Sequence, residues 1–192
     1  VIDMIKVRKG GHLGPALSLI EILHVLYKDI LKIDPKKPDW PKRDRLIFSK
    51  GHGCLALYAI LADTGFISKS TLKTFCKPNS ILGGHPEKNK IPGVEASTGS
   101  LGHGLPIAVG ISLAAKLKKE KFKTFVVVGD GEMNEGSNWE ALMTSQKYNL
   151  DNLILIVDRN KFQSYGETEK VLSLEPLKNK LESLINAFNE KK

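Results

Sequence analysis

Two short runs, Thr124 to Val128 and Leu153 to Val157, constrain this chain more than any other part of it. Each is a continuous run, rich in β-branched or leucine residues, rather than an alternating one, the pattern of a strand covered on both sheet faces. An amphipathic helical stretch separates them. Strand, helix, strand with a crossover of this length makes the two strands parallel neighbours, joined right-handedly in an open, mostly parallel α/β sheet with helices on both faces. Leu46, Ile47 and Phe48 form a further short apolar strand. It is reached through DPKKPDWPKRD at 34–44, whose three prolines mark an exposed connection.

Helical periods flank these strands. Ala16 to Ile33 places Leu19, Ile22, Leu23, Leu26 and Ile30 on one face, with Pro15 in the first turn. Cys54 to Asp63 reads as a mostly buried helix with Gly65 as a left-handed stop, and Leu105 to Glu120 as another helix. From Phe75 to Gly102 the chain is loop-like, rich in Gly, Pro, Ser and Asn, and long enough that function explains it better than connection does. The elements make one α/β domain over residues 1–192.

The basic excess, 29 Lys plus Arg against 21 Asp plus Glu, suits nucleic acid, an anionic membrane or a phosphorylated ligand. The scatter of the lysines argues against the first two, because no basic stripe is interleaved with aromatics. Short clusters at Lys116 to Lys123 and at the C-terminal end read as solvated helix faces. Cys54 and Cys76 form no CxxC pair, so two buried structural thiols in a reduced, cytoplasmic compartment are expected. No apolar run approaches the ~20 residues of a membrane span, and VIDMIKVRKG lacks a signal core. The absence of an initiator Met and the Lys-rich end suggest a piece of a longer gene product.

The chemistry concentrates in VVVGDGEMNEGSNWEALMTSQKYNLDNLILIVDRNKFQ, residues 126–163. Asp130 and Asn160 fall just past the ends of the two strands, where ligands bind in an open parallel sheet, so both oxygen-bearing side chains are expected in one crevice. That geometry suits a hard cation, and Mg²⁺ in particular takes oxygen ligands and shares them with a phosphorylated ligand and water. Gly129 and Gly131 let the backbone approach a diphosphate without Cβ interference. A bare GDG is ordinary turn chemistry. The spacing changes that reading, because GDG closes one buried strand, DRN closes the next, and EGSNWEA opens the helix between them as an acidic, cap-bearing N-terminus.

In this order the motifs resemble the diphosphate-binding domain of transketolases: GGHLG at 10–14, FSKGHG at 48–53, GGHPE at 83–87, STGSLGHG at 97–104, and then GDGEMNEG with NWEA and DNLILIVDRNKFQ. The resemblance covers most of the chain. It implies thiamine diphosphate as cofactor, held through Mg²⁺, or Ca²⁺ or Mn²⁺ in its place, by Asp130, Asn160 and the main-chain carbonyl of Phe162. It further implies that Gly131 approaches the diphosphate and that Gly99, Ser100 and Leu101 lie along the cofactor. By the same resemblance, His52 stands beside the diphosphate and the bound sugar, and His12 and His85 reach the donor's hydroxyl and carbonyl end. Glu135 and Glu140 are similar to glutamates at a subunit contact linked to a proton network. Without the motifs, a single histidine in a glycine turn reads as a surface or hydrogen-bonded structural residue. Glu135 and Glu140 read equally as favourable charges on a helix dipole. His103 is supportive only, and His24 reads as packing or surface.

The implied activity is transfer of a two-carbon ketol unit between phosphorylated sugars, the cofactor supplying the carbanion chemistry while the protein holds it and handles protons. The glutamate that activates this cofactor in the family belongs to a pyrimidine-binding domain absent from these residues. A partner chain, as in transketolases of two separately encoded subunits, or the remainder of a longer chain is therefore expected, in a homo- or hetero-oligomer. The domain itself reads as truncated at its C-terminal end. The alternatives are a transketolase-like enzyme of specialised sugar metabolism and a non-catalytic cofactor-binding or assembly subunit.

Overall fold

A computed structural model describes residues 1–164 and 166–189. Three strands, β1 (Arg45–Phe48), β2 (Thr124–Gly129) and β3 (Leu153–Asp158), pair in that order, and both pairings are parallel. The register sets Phe48 beside Val127 and Gly129 beside Asp158, so the chain leaves all three strands at the same end of the sheet. A short antiparallel hairpin, β4 (Phe162–Gln163) and β5 (Gly166–Glu167), follows at that end.

Alternation along the strands divides the core between the two faces. Leu46, Phe48, Phe125, Val127, Ile154 and Ile156 pack on one side with α1 (Ile2–Arg8), α2 (Leu13–Leu17), α3 (Ile20–Val25) and α4 (Cys54–Thr64). Ile47, Val126, Val128, Leu153, Leu155 and Val157 pack on the other with α5 (Gly104–Leu117), α6 (Gly136–Lys147) and α8 (Leu177–Asn189). A short α7 (Thr168–Val171) joins the hairpin to α8. Each fully buried valine side chain contributes about 1.5–3 kcal/mol, and Val126, Val127 and Val128 are all 0% exposed, which makes β2 the centre of the fold.

The structure departs from expectation at several points. β3 is only half-buried up to Val157, because among the described residues it pairs with β2 alone and its other edge is open. The helix expected over 16–33 is three pieces: α2, α3 and a π-helical turn at Leu26–Ile30. It breaks at Ser18, whose hydroxyl bonds the Pro15 carbonyl at 3.1 Å and the Asp158 carboxylate at 2.7 Å. The π turn, closed by Leu31 N–H to the Leu26 carbonyl at 2.8 Å, adds a residue to the period. Ile30 is thereby rotated off the buried stripe and is 50% exposed, while Leu19, Leu23 and Leu26 stay on it. Glu135 is the N-cap of α6 but makes no side-chain capping bond. Gly65 ends α4 at φ 93° as a left-handed cap.

Cys54 is buried and Cys76 half-buried, and both are free thiols. Lys116 is not simply solvated: its ammonium bonds the carbonyls of Tyr148 and Asn149 just past α6. The basic residues Lys191 and Lys192 lie outside the described residues. No described helix is long and apolar enough to cross a membrane.

Candidate functional site

The carboxyl ends of the three strands each release a short polar turn: SKGHG from β1, GDG from β2 and DRN from β3. These turns line a cavity of about 680 Å³ together with residues of α2 and of the 97–104 loop. His12, His52 and His85 all face it, as do Asp130, Gly131 and Asn160. Gly99, Leu101 and Phe162 complete the set of sequence-predicted residues around it. Ser100 does not line this cavity; it faces a neighbouring one of about 520 Å³, which shares His85 and Gly99 with the first and also contains His103. Glu135 and Glu140 are exposed on α6 and its cap, away from both cavities, and His24 is exposed on α3.

Glycines set these close approaches. A Cβ on Gly51 would lie 2.7 Å from the Thr98 carbonyl and the Gly99 nitrogen, so only glycine lets the His52 turn rest on the 97–100 loop. The Thr98 hydroxyl adds a 2.7 Å bond to the Phe48 carbonyl across the same seam. At Gly131 a Cβ would meet the Gln163 Cβ at 2.4 Å. That glycine is therefore required by the hairpin packed on it, and it also lines the cavity.

Asp130 is 1% exposed and accepts four hydrogen bonds, three of them on one oxygen. Its Oδ1 accepts the Gly131 N–H at 2.8 Å, and its Oδ2 accepts Arg159 Nη1 at 2.6 Å, the Lys161 N–H at 2.7 Å and the Thr168 hydroxyl at 3.1 Å. Asn160 uses Oδ1 to accept the Phe162 N–H at 2.9 Å and donates from Nδ2 to Asp158 at 3.2 Å. Asp158 in turn forms a buried ion pair with Lys50, whose side chain is 2% exposed, and accepts the Ser18 hydroxyl. Glu132 holds the strand ends together: its carboxylate accepts the Ser49 hydroxyl, the Gly102 N–H at 2.9 Å and the Gly129 N–H at 3.1 Å. Among the described residues there is no group of three or more His, Cys, Asp or Glu side chains suited to a metal ion. Asp130, Asn160 and the Phe162 carbonyl, the set expected from sequence, comprise one carboxylate and two neutral oxygens and so fall outside such a group.

The histidines influence one another. The His12 and His52 rings lie 5.7 Å apart, edge to face. Burial pushes His52 down to about 4, helped by the positive charge of Lys50 and by His12 and His85, against a weaker opposing pull from Asp158. His52 is therefore a neutral acceptor at pH 7. The unfolded chain takes up this proton near the ordinary histidine value of about 6.5, whereas the folded chain does so only near 4. Stability held above pH 6.5 by this group is lost as pH falls toward 4. An NMR titration should find the His52 ring unprotonated at pH 5.5, and a transition near 6.5 would contradict this.

Sequence reasoning did not single out Lys50, Asp158, Glu132, Ser18 or Arg159. Lys50 and Asp158 carried a usable signal, since each is a charged residue at the end of an apolar run, on the two parallel strands that flank β2. Charges in such places need partners. Arg159 gave no local signal, because its partners Asp130, Glu169 and Glu175 come from separate turns.

Comparison with known proteins gives the family. Residues 1–184 match the family model described as "Transketolase, thiamine diphosphate binding domain". An apulose-4-phosphate transketolase subunit of Actinobacillus succinogenes is 51% identical over 174 residues, covering 91% of this chain and 63% of that protein. The 6-deoxy-6-sulfo-D-fructose transketolase subunit of a Clostridium strain is 44% identical over 170 residues, covering 88% of this chain and 62% of that protein. The chain thus spans less than two thirds of these curated relatives. The transketolase crystal structure from Campylobacter jejuni superposes with a TM-score of 0.89 at 35% identity, over 98% of this chain and 32% of that one. The chain belongs to the transketolase family, within its thiamine diphosphate binding domain.

Proposed function

We propose that this chain is the diphosphate- and metal-holding part of a transketolase that transfers a two-carbon ketol unit between phosphorylated sugars, completed by a pyrimidine-domain partner. The observation that carries the reading is the convergence of three histidines, Asp130 and Asn160 on one cavity at the carboxyl ends of a parallel sheet. Relatives named as subunits of specialised sugar transketolases support a partner chain and leave the sugar pair to be assigned. Under this reading the protein works in the cytoplasm, with phosphorylated sugars as substrates and neither nucleic acid nor membrane as a partner.

The residues present fit the implied groups. Asp130 Oδ1 has one amide partner and Asn160 Oδ1 has one, so each retains a lone pair for a cation, and the Phe162 carbonyl supplies a third oxygen. Mg²⁺ commonly takes one carboxylate and shares the rest of its shell with phosphate oxygens and water. The Gln163 Nε2, buried and without a partner, borders the same cavity and needs an acceptor such as a phosphate oxygen. Bound thiamine diphosphate would supply the carbanion chemistry. Neutral His52 suits proton acceptance beside the sugar, with His12 and His85 at its hydroxyl and carbonyl end. Gly99 and Leu101, which line the cavity, are assigned to the cofactor's flank; Ser100 joins them on the resemblance alone, since it faces the neighbouring cavity. Glu135 and Glu140, exposed on one helix end, are assigned to the contact with the next subunit.

The native assembly is expected to consume a ketose phosphate donor and an aldose phosphate acceptor only when thiamine diphosphate and Mg²⁺ are both present. Ligand at 100 times its dissociation constant should stabilise the fold by about 2.7 kcal/mol. Turnover without either cofactor, or no melting shift with both, would overturn the proposal.

A further inference from the structure

We infer that Arg159 sets the order in which the cradle is loaded: it cancels the Asp130 carboxylate toward a lone cation, so the diphosphate enters before or together with the metal. The inference rests on the proposal that Asp130 is a metal ligand, and it goes beyond that proposal by giving a role to a residue that does not line the cavity.

Asp130 and Glu132 are the acids that line the cavity, Asp158 lies behind them at the end of β3, and each already has a use. Asp158 is paired with Lys50 and also accepts from Ser18 and Asn160. Glu132 spends both oxygens on Ser49 and the amides of Gly102 and Gly129. Asp130 is the one proposed to meet the cation, and a guanidinium stands against its other oxygen at 2.6 Å, in a pocket where its carboxylate is 1% exposed. A divalent ion arriving alone would meet a carboxylate whose charge is neutralised and a fixed positive charge close behind it. In a site screened so little by water, that repulsion is strong. A diphosphate meets the opposite balance.

Arg159 is not needed merely to aim Asp130. The Gly131 and Lys161 amides and the Thr168 hydroxyl hold the carboxylate on both oxygens without it, and Thr168 is itself 0% exposed. The guanidinium is held from outside by Glu169 at 2.6 Å and Glu175 at 3.0 Å. Those two acids are 35% and 56% exposed, so water and salt weaken their influence on the cavity, while their geometry keeps the Arg159 charge in place.

Calorimetry on the native protein with Mg²⁺ alone, inorganic pyrophosphate alone, and the two together tests this. Arg159→Gln should tighten binding of Mg²⁺ alone by about tenfold or more and weaken pyrophosphate alone, whereas Arg159→Lys, which keeps the charge but not the guanidinium's three-way bonding, should fall between Arg159→Gln and the parent. Unchanged or weaker binding of Mg²⁺ alone in Arg159→Gln would overturn the inference. Asp130→Asn separates the two levels. Should it retain Mg²⁺ in the presence of pyrophosphate, the metal assignment fails; should it lose Mg²⁺ while Arg159→Gln changes nothing, that assignment stands and the role of Arg159 falls.

Discussion

Asp130→Asn is expected to weaken joint uptake of Mg²⁺ and thiamine diphosphate by at least about a hundredfold, since even groups that only support a metal ligand cost 10- to 100-fold. The change is nearly isosteric, so its effect is chemical. It removes the only carboxylate proposed to meet the ion. The new amide group must also face either the Gly131 N–H or the donors of Arg159 and Lys161, so that donor points at donor. About 1–3 kcal/mol of stability should go with the lost bonds. Titration calorimetry well below the variant's melting point separates the two effects. Retention of the melting shift produced by both ligands would show that the ion is held elsewhere.

Glu132→Ala should be the most destabilising single change near the site, at about 3–5 kcal/mol, because bonds to a charged acceptor contribute about 1.5–3 kcal/mol each and their buried donors are left unpaired. The three donors lie on three different segments. Ser49 follows β1, Gly129 ends β2, and Gly102 belongs to the long loop that precedes α5. Without the carboxylate the SKGHG and STGSLGHG turns lose a shared anchor, so His52 and Gly99 should also lose their fixed spacing. Glu132→Gln retains one accepting oxygen and should cost about half as much. Urea unfolding with an unchanged slope reads this directly. A loss below about 1 kcal/mol would mean that close packing alone holds the turns together.

Much of the architecture was legible in the residues, for identifiable reasons. Val126 to Val128 could not be placed in a half-solvated sheet, and a helix-length crossover to Leu153 left only a parallel pairing. Gly65 after an apolar helical run was a stop signal that needed no tertiary context. The long loop from Phe75 to Gly102 was expected to matter, and it delivers His85, Gly99 and Leu101 to the cavity wall. The helix expected over 16–33 failed because periodicity records only which residues can face a core. It does not register a serine drawn toward a carboxylate 140 residues away, or one extra residue in a turn. β3 looked as buried as β2 because the two runs are alike in composition. Their difference lies in pairing, which no local pattern carries.

The residue chemistry at the strand tips was therefore set by sequence alone: oxygen donors at Asp130 and Asn160, and histidines in glycine turns, each placed by a local period or a turn preference. How their charges are balanced was decided by the tertiary structure. Lys50 meets Asp158, Arg159 meets Asp130, and Glu132 finds its partners on three separate segments. Burial makes an unpaired charge costly, and the partner that removes the cost is whichever group the folded chain brings within about 3 Å, irrespective of its distance along the sequence.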